Sequence, residues 1–241
     1  MSRLKPIKQI YSNYTPEDFR VWEKLYVKQF SLIKGKVSEV FLNGLDLLDF
    51  TPLKIPNFID INNKLKKLSS WQIKTVSNIA EPVYFFSCLA NKQFTSTCWL
   101  RSIKEIDYIE EPDMFHDVFG HIPLLSNQIY SDFFQELGVL SKEFLDDDFK
   151  IKQLQRLYWF TIEFGLIKNQ DTFDIYGAGI ISSKMEIKNV YSEKSIKKPF
   201  NLSEILKQDF RIDKVQEVYF VIDSFDQLLD SLSEIRKLIE H

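Results

Sequence analysis

Apolar positions recur at helical spacing along most of this chain and at strand spacing only in short stretches. "TPEDFRVWEKLYVKQFSLIKG" places Thr15 as an N-cap, Pro16 at the first helical position, and Phe19, Trp22, Tyr26, Phe30 and Ile33 on one face before Gly35 ends the run. "SEVFLNGLDLLDF" and "DINNKLKKLSS" predict shorter helices, and "EPVYFFSCLANK" predicts another that starts near Pro82. "WQIKTVS" alternates, and "QFTSTCWLR" is rich in β-branched and aromatic residues, so both predict strands. "PDMFHDVFGH" predicts a helix that begins at Pro112 and is stopped by Gly120 and Pro123. An amphipathic helix follows in "NQIYSDFFQELGVL", then a long buried one in "KIKQLQRLYWFTIEFGLIKN". The acidic run at 146–148 reads as a surface loop. "FDIYGAGIISS" reads as extended, with two glycines that allow close backbone approach. "VQEVYFVIDS" is a strand, and "SFDQLLDSLSEIRKLIEH" is a closing helix with Ser224 and Gln227 as its capping box. Helices outnumber short strands in this pattern.

Composition narrows the classes. The 241 residues carry 44% hydrophobic and 15% aromatic side chains, enough for a sizeable core. A net charge of −3 offers nothing to track a phosphate backbone, so no nucleic-acid partner is expected. Cys88 and Cys98 are the only cysteines, which fits a reducing compartment better than a disulfide scaffold. No apolar h-region opens the chain, and no run approaches the ~20 apolar residues of a membrane span. The expectation is a cytoplasmic protein. No repeat or low-complexity linker divides it, so one domain over residues 1–241 is expected.

Two of the three histidines, His116 and His121, lie within six residues of each other. Five of the seven glycines fall between Gly120 and Gly179, in the same part of the chain. The pair is open between packing, a zinc hydrolase, a non-catalytic metal site and an iron site. Zincin proteases space their histidines by four with a Glu between. A spacing of five leaves side chains ~140° apart on a straight α-helix. Convergence then requires the helix to end between them, with His116 on its last turn and His121 just beyond. Two imidazoles also want an anionic third ligand. Glu163, inside the apolar run "YWFTIEFGL", is a carboxylate whose burial would be costly without a cation. Two histidines and one carboxylate leave an open face that suits non-haem Fe(II) and oxygen. The third histidine, His241, reads as a solvated end residue.

These residues resemble the pterin-dependent aromatic amino acid hydroxylases, closest in layout to the short bacterial phenylalanine 4-hydroxylases. "IDYIEEPDMFHDVFGHIPLL" looks like the family's histidine signature, and "LYWFTIEFGLI" is similar to the segment with the carboxylate ligand. "YGAGIISSKMEI" and "YFVIDSF" follow in the family's order. The likeness runs from about Trp71 to Phe225 and is weak over the first seventy residues. It implies a mainly α, α+β fold: a helical basket with small β segments around iron. The implied parts are residues 1–70 as a helical N-terminal part, 71–225 as the site region and 226–241 as the closing helix. The implied reaction converts L-phenylalanine, O2 and a tetrahydropterin to L-tyrosine and a hydroxypterin. Tryptophan or tyrosine as substrate keeps the same fold and is not separated by the pocket residues.

The resemblance also assigns roles. His116, His121 and Glu163 would hold Fe(II). Arg101 matches the arginine that clamps the substrate carboxylate, with a fork that meets both oxygens. Trp159, Pro112 and Gly179 would line the ring pocket. Ser182, the first of the Ser182–Ser183 pair, would orient an iron-ligand histidine and border the substrate. Phe85 would stack on the pterin, with Tyr158 and Asp117 on the same side. Asp117 stands where animal members have Glu, and Ile109 where animal phenylalanine hydroxylases have Thr. No regulatory domain or tetramerisation helix is expected, so a monomer without allosteric activation by phenylalanine is expected.

Overall fold

The structure is a computed structural model that describes residues 5–240, so the expectation for His241 lies outside the described residues. Helix α1, Pro16–Ile33, starts from a reciprocal capping box: the Asp18 backbone N–H donates to Thr15 Oγ1, and the Thr15 backbone N–H donates to the Asp18 carboxylate at 2.8 Å. Its buried face carries Val21, Trp22, Leu25, Tyr26 and Ile33. Helices α2, Glu39–Leu47, and α3, Phe58–Leu68, follow and are capped by Ser38 and Asn57. Strand β1, Gln72–Thr75, pairs in parallel with β2, Gln93–Ser96, across helix α4, Pro82–Ala90. Strand β2 is shorter than its sequence predicted. From Thr97 the chain leaves the ladder but stays buried as far as Arg101.

The histidine helix differs from expectation. Phe115–His121 is one π-helical turn, continued by a 3-10 turn over Ile122–Ser126. Pro112 precedes it, and the helix proper opens after Asp113. Gly120 does not stop the helix. It lies inside the π turn, where a Cβ would meet Ala178 at 3.0 Å. Pro123 does not stop it either, and sits in the first turn of the 3-10 continuation, where no N–H is needed.

Helix α5 spans Gln128–Ser141 and α6 spans Asp148–Tyr158. The acidic run is exposed as expected, but it works as a cap: the Asp147 carboxylate accepts from the Lys150 N–H, and Asp148 is the first residue of α6. The predicted long helix is three pieces: α6, a second π turn over Trp159–Glu163, and strand β3, Leu166–Asn169. A continuous apolar run fits a buried strand as well as a buried helix, so periodicity did not separate them. "FDIYGAGIISS" is also only half extended. Strand β4 is Thr172–Ile175, and Ala178–Ile181 forms the short helix α7.

Helix α8, Lys184–Val190, leads to strand β5, Ile196–Pro199, helix α9, Leu202–Ile205, strand β6, Val218–Ile222, and helix α10, Phe225–Glu240. The second sheet runs β4-β3-β6-β5, antiparallel in the β3–β4 hairpin and parallel elsewhere. At the start of α10, Ser224 caps the Gln227 N–H, but Gln227 returns its bond to the Asp223 N–H, one residue earlier than a capping box requires. One apolar core runs from Val21 to Ile239 through both sheets and the helices around them. Among the described residues no helix is long and apolar enough to cross a membrane. Cys88 and Cys98 are buried and unpaired.

Candidate metal centre and active site

A π-helix closes its hydrogen bonds from i to i+5, so residues five apart lie over one another. This local geometry brings His116 and His121 to one face without a helix end between them, and it replaces the expected explanation. Their rings meet edge to face, 5.2 Å apart. The second π turn does the same work for Glu163: Phe164 N–H bonds back to the Trp159 carbonyl at 2.9 Å, five residues earlier. Gly177 and Gly179 let α7 press on the Glu163 backbone, since Cβ atoms there would meet its carbonyl oxygen at 2.5 and 3.0 Å.

The three side chains converge. His121 Nε2 lies 3.1 Å from Glu163 Oε1 and His116 Nε2 lies 3.7 Å from Oε2. One donor atom from each residue falls within 4.8 Å of the others. A first-row cation sits about 2.0–2.2 Å from such donors, which separates neighbouring ligands by roughly 3 Å. The spacing therefore fits a shared cation.

Each ligand is held from behind. Ser182 Oγ lies 2.8 Å from His116 Nδ1 and donates its own hydrogen to the Ala178 carbonyl at 2.8 Å. His116 Nδ1 must then carry the proton, which leaves Nε2 bare toward the metal. Burial is the main cause that holds the His116 imidazole down to about 4, so it is neutral at pH 7. Burial would push the Glu163 carboxyl up, but His121, His116 and the Tyr158 hydroxyl outweigh it and hold the group at about 2. Tyr158 donates to Glu163 Oε1 at 3.0 Å. His121 packs on Phe94 at 4.7 Å, and its Nδ1 is buried without a hydrogen-bond partner among the described residues.

Arg101 stands as expected at the end of the buried segment after β2, but one edge of its fork is already engaged. Its Nε and Nη2 donate to the two Asp113 carboxylate oxygens at 2.9 and 2.8 Å, so Nη1 and the outer side of Nη2 are what a substrate carboxylate would meet. Asp113 also accepts from the Arg101 N–H at 2.8 Å and from the His116 N–H at 3.4 Å. It thus ties the arginine to the start of the histidine helix. Asp113 is fully buried. Burial opposes its ionisation, and the bonds from Arg101 overcome that and lower its carboxyl below the usual range.

Asp117 accepts from the Thr97 N–H and Oγ1 at 2.8 and 2.9 Å. Burial pushes its carboxyl up to about 7 against those bonds. Phe85 stands edge-on to Tyr158 at 5.1 Å. Trp159 stacks on Phe210 at 4.4 Å and donates its indole N–H to Gln216. Pro112 is half-buried in the turn ahead of Asp113, and Ser183 caps α8. Asp113, Thr97, Phe94 and Gln216 were missed from the sequence. Only Asp113 left a signal there, as one of the two acids within "PDMFHDVFGH".

Two imidazoles and a carboxylate on one face of a helical shell define the class: a facial site for a single first-row cation with open positions opposite. Comparison with known proteins narrows it. The chain belongs to the biopterin-dependent aromatic amino acid hydroxylases, whose family model matches residues 4–241. The match extends through the first seventy residues, where the sequence resemblance was weak. The phenylalanine-4-hydroxylase of Chromobacterium violaceum is 40% identical over 231 residues, 93% of this chain and 76% of that protein. That of Ralstonia nicotianae is 40% identical over 230 residues, 93% of this chain and 72% of that protein. Among solved structures, C. violaceum phenylalanine hydroxylase bound to cobalt matches with a TM-score of 0.91 at 37% identity, covering 96% of this chain and 85% of that one. The same enzyme with iron(III) and 7,8-dihydrobiopterin matches with a TM-score of 0.89 at 39% identity, covering 94% and 83%.

Proposed function

We propose that this protein is a phenylalanine 4-monooxygenase. It converts L-phenylalanine, O2 and a tetrahydropterin to L-tyrosine and a hydroxypterin at Fe(II) on His116, His121 and Glu163. The observation that carries this reading is the convergence of those three donors on one point, in a chain whose relatives are phenylalanine hydroxylases. Bound iron and tetrahydropterin supply the activation of O2, one oxygen atom going to the ring and the other to the pterin.

The chain's own residues then bind and orient. Ser182 fixes the His116 tautomer, and Tyr158 steadies Glu163. Arg101 offers Nη1 and Nη2 to the amino acid carboxylate while Asp113 holds its other edge. Trp159, Pro112 and Gly179 wall the ring. Phe85 offers its ring for the pterin to stack on, with Asp117 and Tyr158 on that side. Phe94 packs on the His121 ring from behind. The same reading makes residues 1–241 one catalytic unit, monomeric and cytoplasmic, with no nucleic-acid partner. Burial of the α10 side chains Leu228, Ile235 and Ile239 supports the monomer, because that helix keeps its apolar face inside. Two buried free thiols support a reducing compartment.

The test is tyrosine formation by Fe(II)-loaded protein given phenylalanine and a tetrahydropterin in air. Product that requires iron, pterin and O2 together is expected. Iron binding with no tyrosine, but hydroxylation of tryptophan, moves the substrate. Failure to bind iron rejects the ligand set.

A further inference from the structure

Trp159 is held on three sides. Its indole stacks on Phe210, with planes 19° from parallel, and leans on Phe164 at 4.7 Å. Its Nε1–H donates to Gln216 Oε1 at 2.9 Å. Phe210 and Gln216 both belong to the connection between α9 and β6, which the reading above does not use.

The remaining contacts of Gln216 dictate which way its amide points. Nε2 donates to the carbonyls of Arg211 and Lys214 at 2.9 and 3.1 Å. Both amide hydrogens are then engaged, and the oxygen is the end left to meet a donor. A reversed amide would set N–H against the indole N–H and oxygen against two carbonyls. The backbone at this position is equally fixed. Gln216 N–H donates to Glu186 Oε1 at 3.0 Å, and its carbonyl accepts from Asn189 at 2.7 Å. Tyr219 donates to the other Glu186 oxygen. Gln216 and Glu186 are each only 6% exposed. A buried polar network satisfied in this way specifies one geometry.

Stacking alone lets an aromatic ring slide or turn in its plane, whereas a bond at one edge stops both. We propose that Gln216 is a positioning residue that sets the Trp159 indole against the substrate's aromatic ring. The inference rests on the reading of Trp159 as a wall of the ring pocket.

The experiment compares iron-loaded wild type, Gln216→Met, Trp159→Phe and the double variant, each with a tetrahydropterin. The readouts are kcat/KM for phenylalanine and for tryptophan, tyrosine formed per pterin oxidised, and bound iron. Phenylalanine at 159 has no N–H, so it cuts the proposed link from the other side. Gln216→Met is expected to keep its iron, to lose about fivefold in kcat/KM for phenylalanine, the worth of one net hydrogen bond, and to discriminate less between the two substrates. In the Trp159→Phe background it should add nothing. An equal loss in both backgrounds means that Gln216 acts through its loop and overturns the proposal. So does an unchanged preference in Gln216→Met. Gln216→Glu keeps the acceptor for the indole and removes the two donations to the loop. It is expected to retain the wild-type preference, and a loss as full as that of Gln216→Met also overturns the proposal. An unchanged preference in Trp159→Phe alone rejects the pocket-wall reading itself, separately from Gln216.

Discussion

His116 binds a metal well only if its proton stays on Nδ1, and Ser182 keeps it there by accepting it while donating to Ala178. Removal of that acceptor in Ser182→Ala is expected to lower iron affinity or turnover about 10–100-fold, as loss of an outer hydrogen bond to a ligand typically does. Iron content after dialysis, together with turnover, checks it. His116→Ala removes a donor outright and should abolish both tight iron binding and tyrosine formation. Wild-type turnover would remove His116 from the ligand set. Burial also matters for Cys98, where it pushes the thiol up to about 11. That thiol stays protonated at neutral pH and is 3% exposed, so thiol reagents should find it only after denaturation.

At the scale of elements, the two π turns carry the site. The sequence singles out His116, His121 and Glu163 by type and surroundings, and the structure brings them together, yet straight-helix geometry sets the histidines on different faces. The α-helical period is a default, and whether one turn widens depends on what packs against it. Here Gly120 against Ala178 is part of that packing. The Arg101–Asp113 pair is the second device at this scale, because it joins the segment after β2 to the histidine helix. Asp113→Asn leaves a buried guanidinium without its counter-charge and is expected to destabilise the protein by about 3–5 kcal/mol. The pH dependence has a definite sign. The folded Asp113 carboxyl is lowered, so its contribution is fully present above the unfolded value of about 4 and is lost as pH falls through the folded one. Urea midpoints of the iron-free protein at pH 7 and near pH 3 should therefore differ more in wild type than in Asp113→Asn.

For the whole molecule, the core around both sheets surrounds a cluster of three side chains that could hold a metal. Iron binds the folded form only, so free metal at 100 times its Kd adds about 2.7 kcal/mol. For a chain of this size that corresponds to a rise in Tm of roughly 5–10 °C over chelator-treated protein, which differential scanning calorimetry would detect. No difference would mean that the three donors do not form a site in the folded chain. Sedimentation at micromolar concentration is expected to give a single species at the mass of one chain. A larger species would place a partner on the outer surface, since α10 already has its apolar face inside.

The sequence by itself determined most helices, the sheet strands at 72–75, 93–96 and 218–222, and which three residues are candidates to hold a metal. These depend on caps, periodicity and residue type, which near neighbours set. Tertiary structure decided the π turns, the break of the long apolar run into helix and strand, and the partners of the site residues. Asp113 lies 12 residues from Arg101 and Gln216 lies 57 from Trp159. Nothing local distinguishes such a partner from a surface acid or amide. Only burial beside one another, where an unpaired polar group is costly, gives each of them its role.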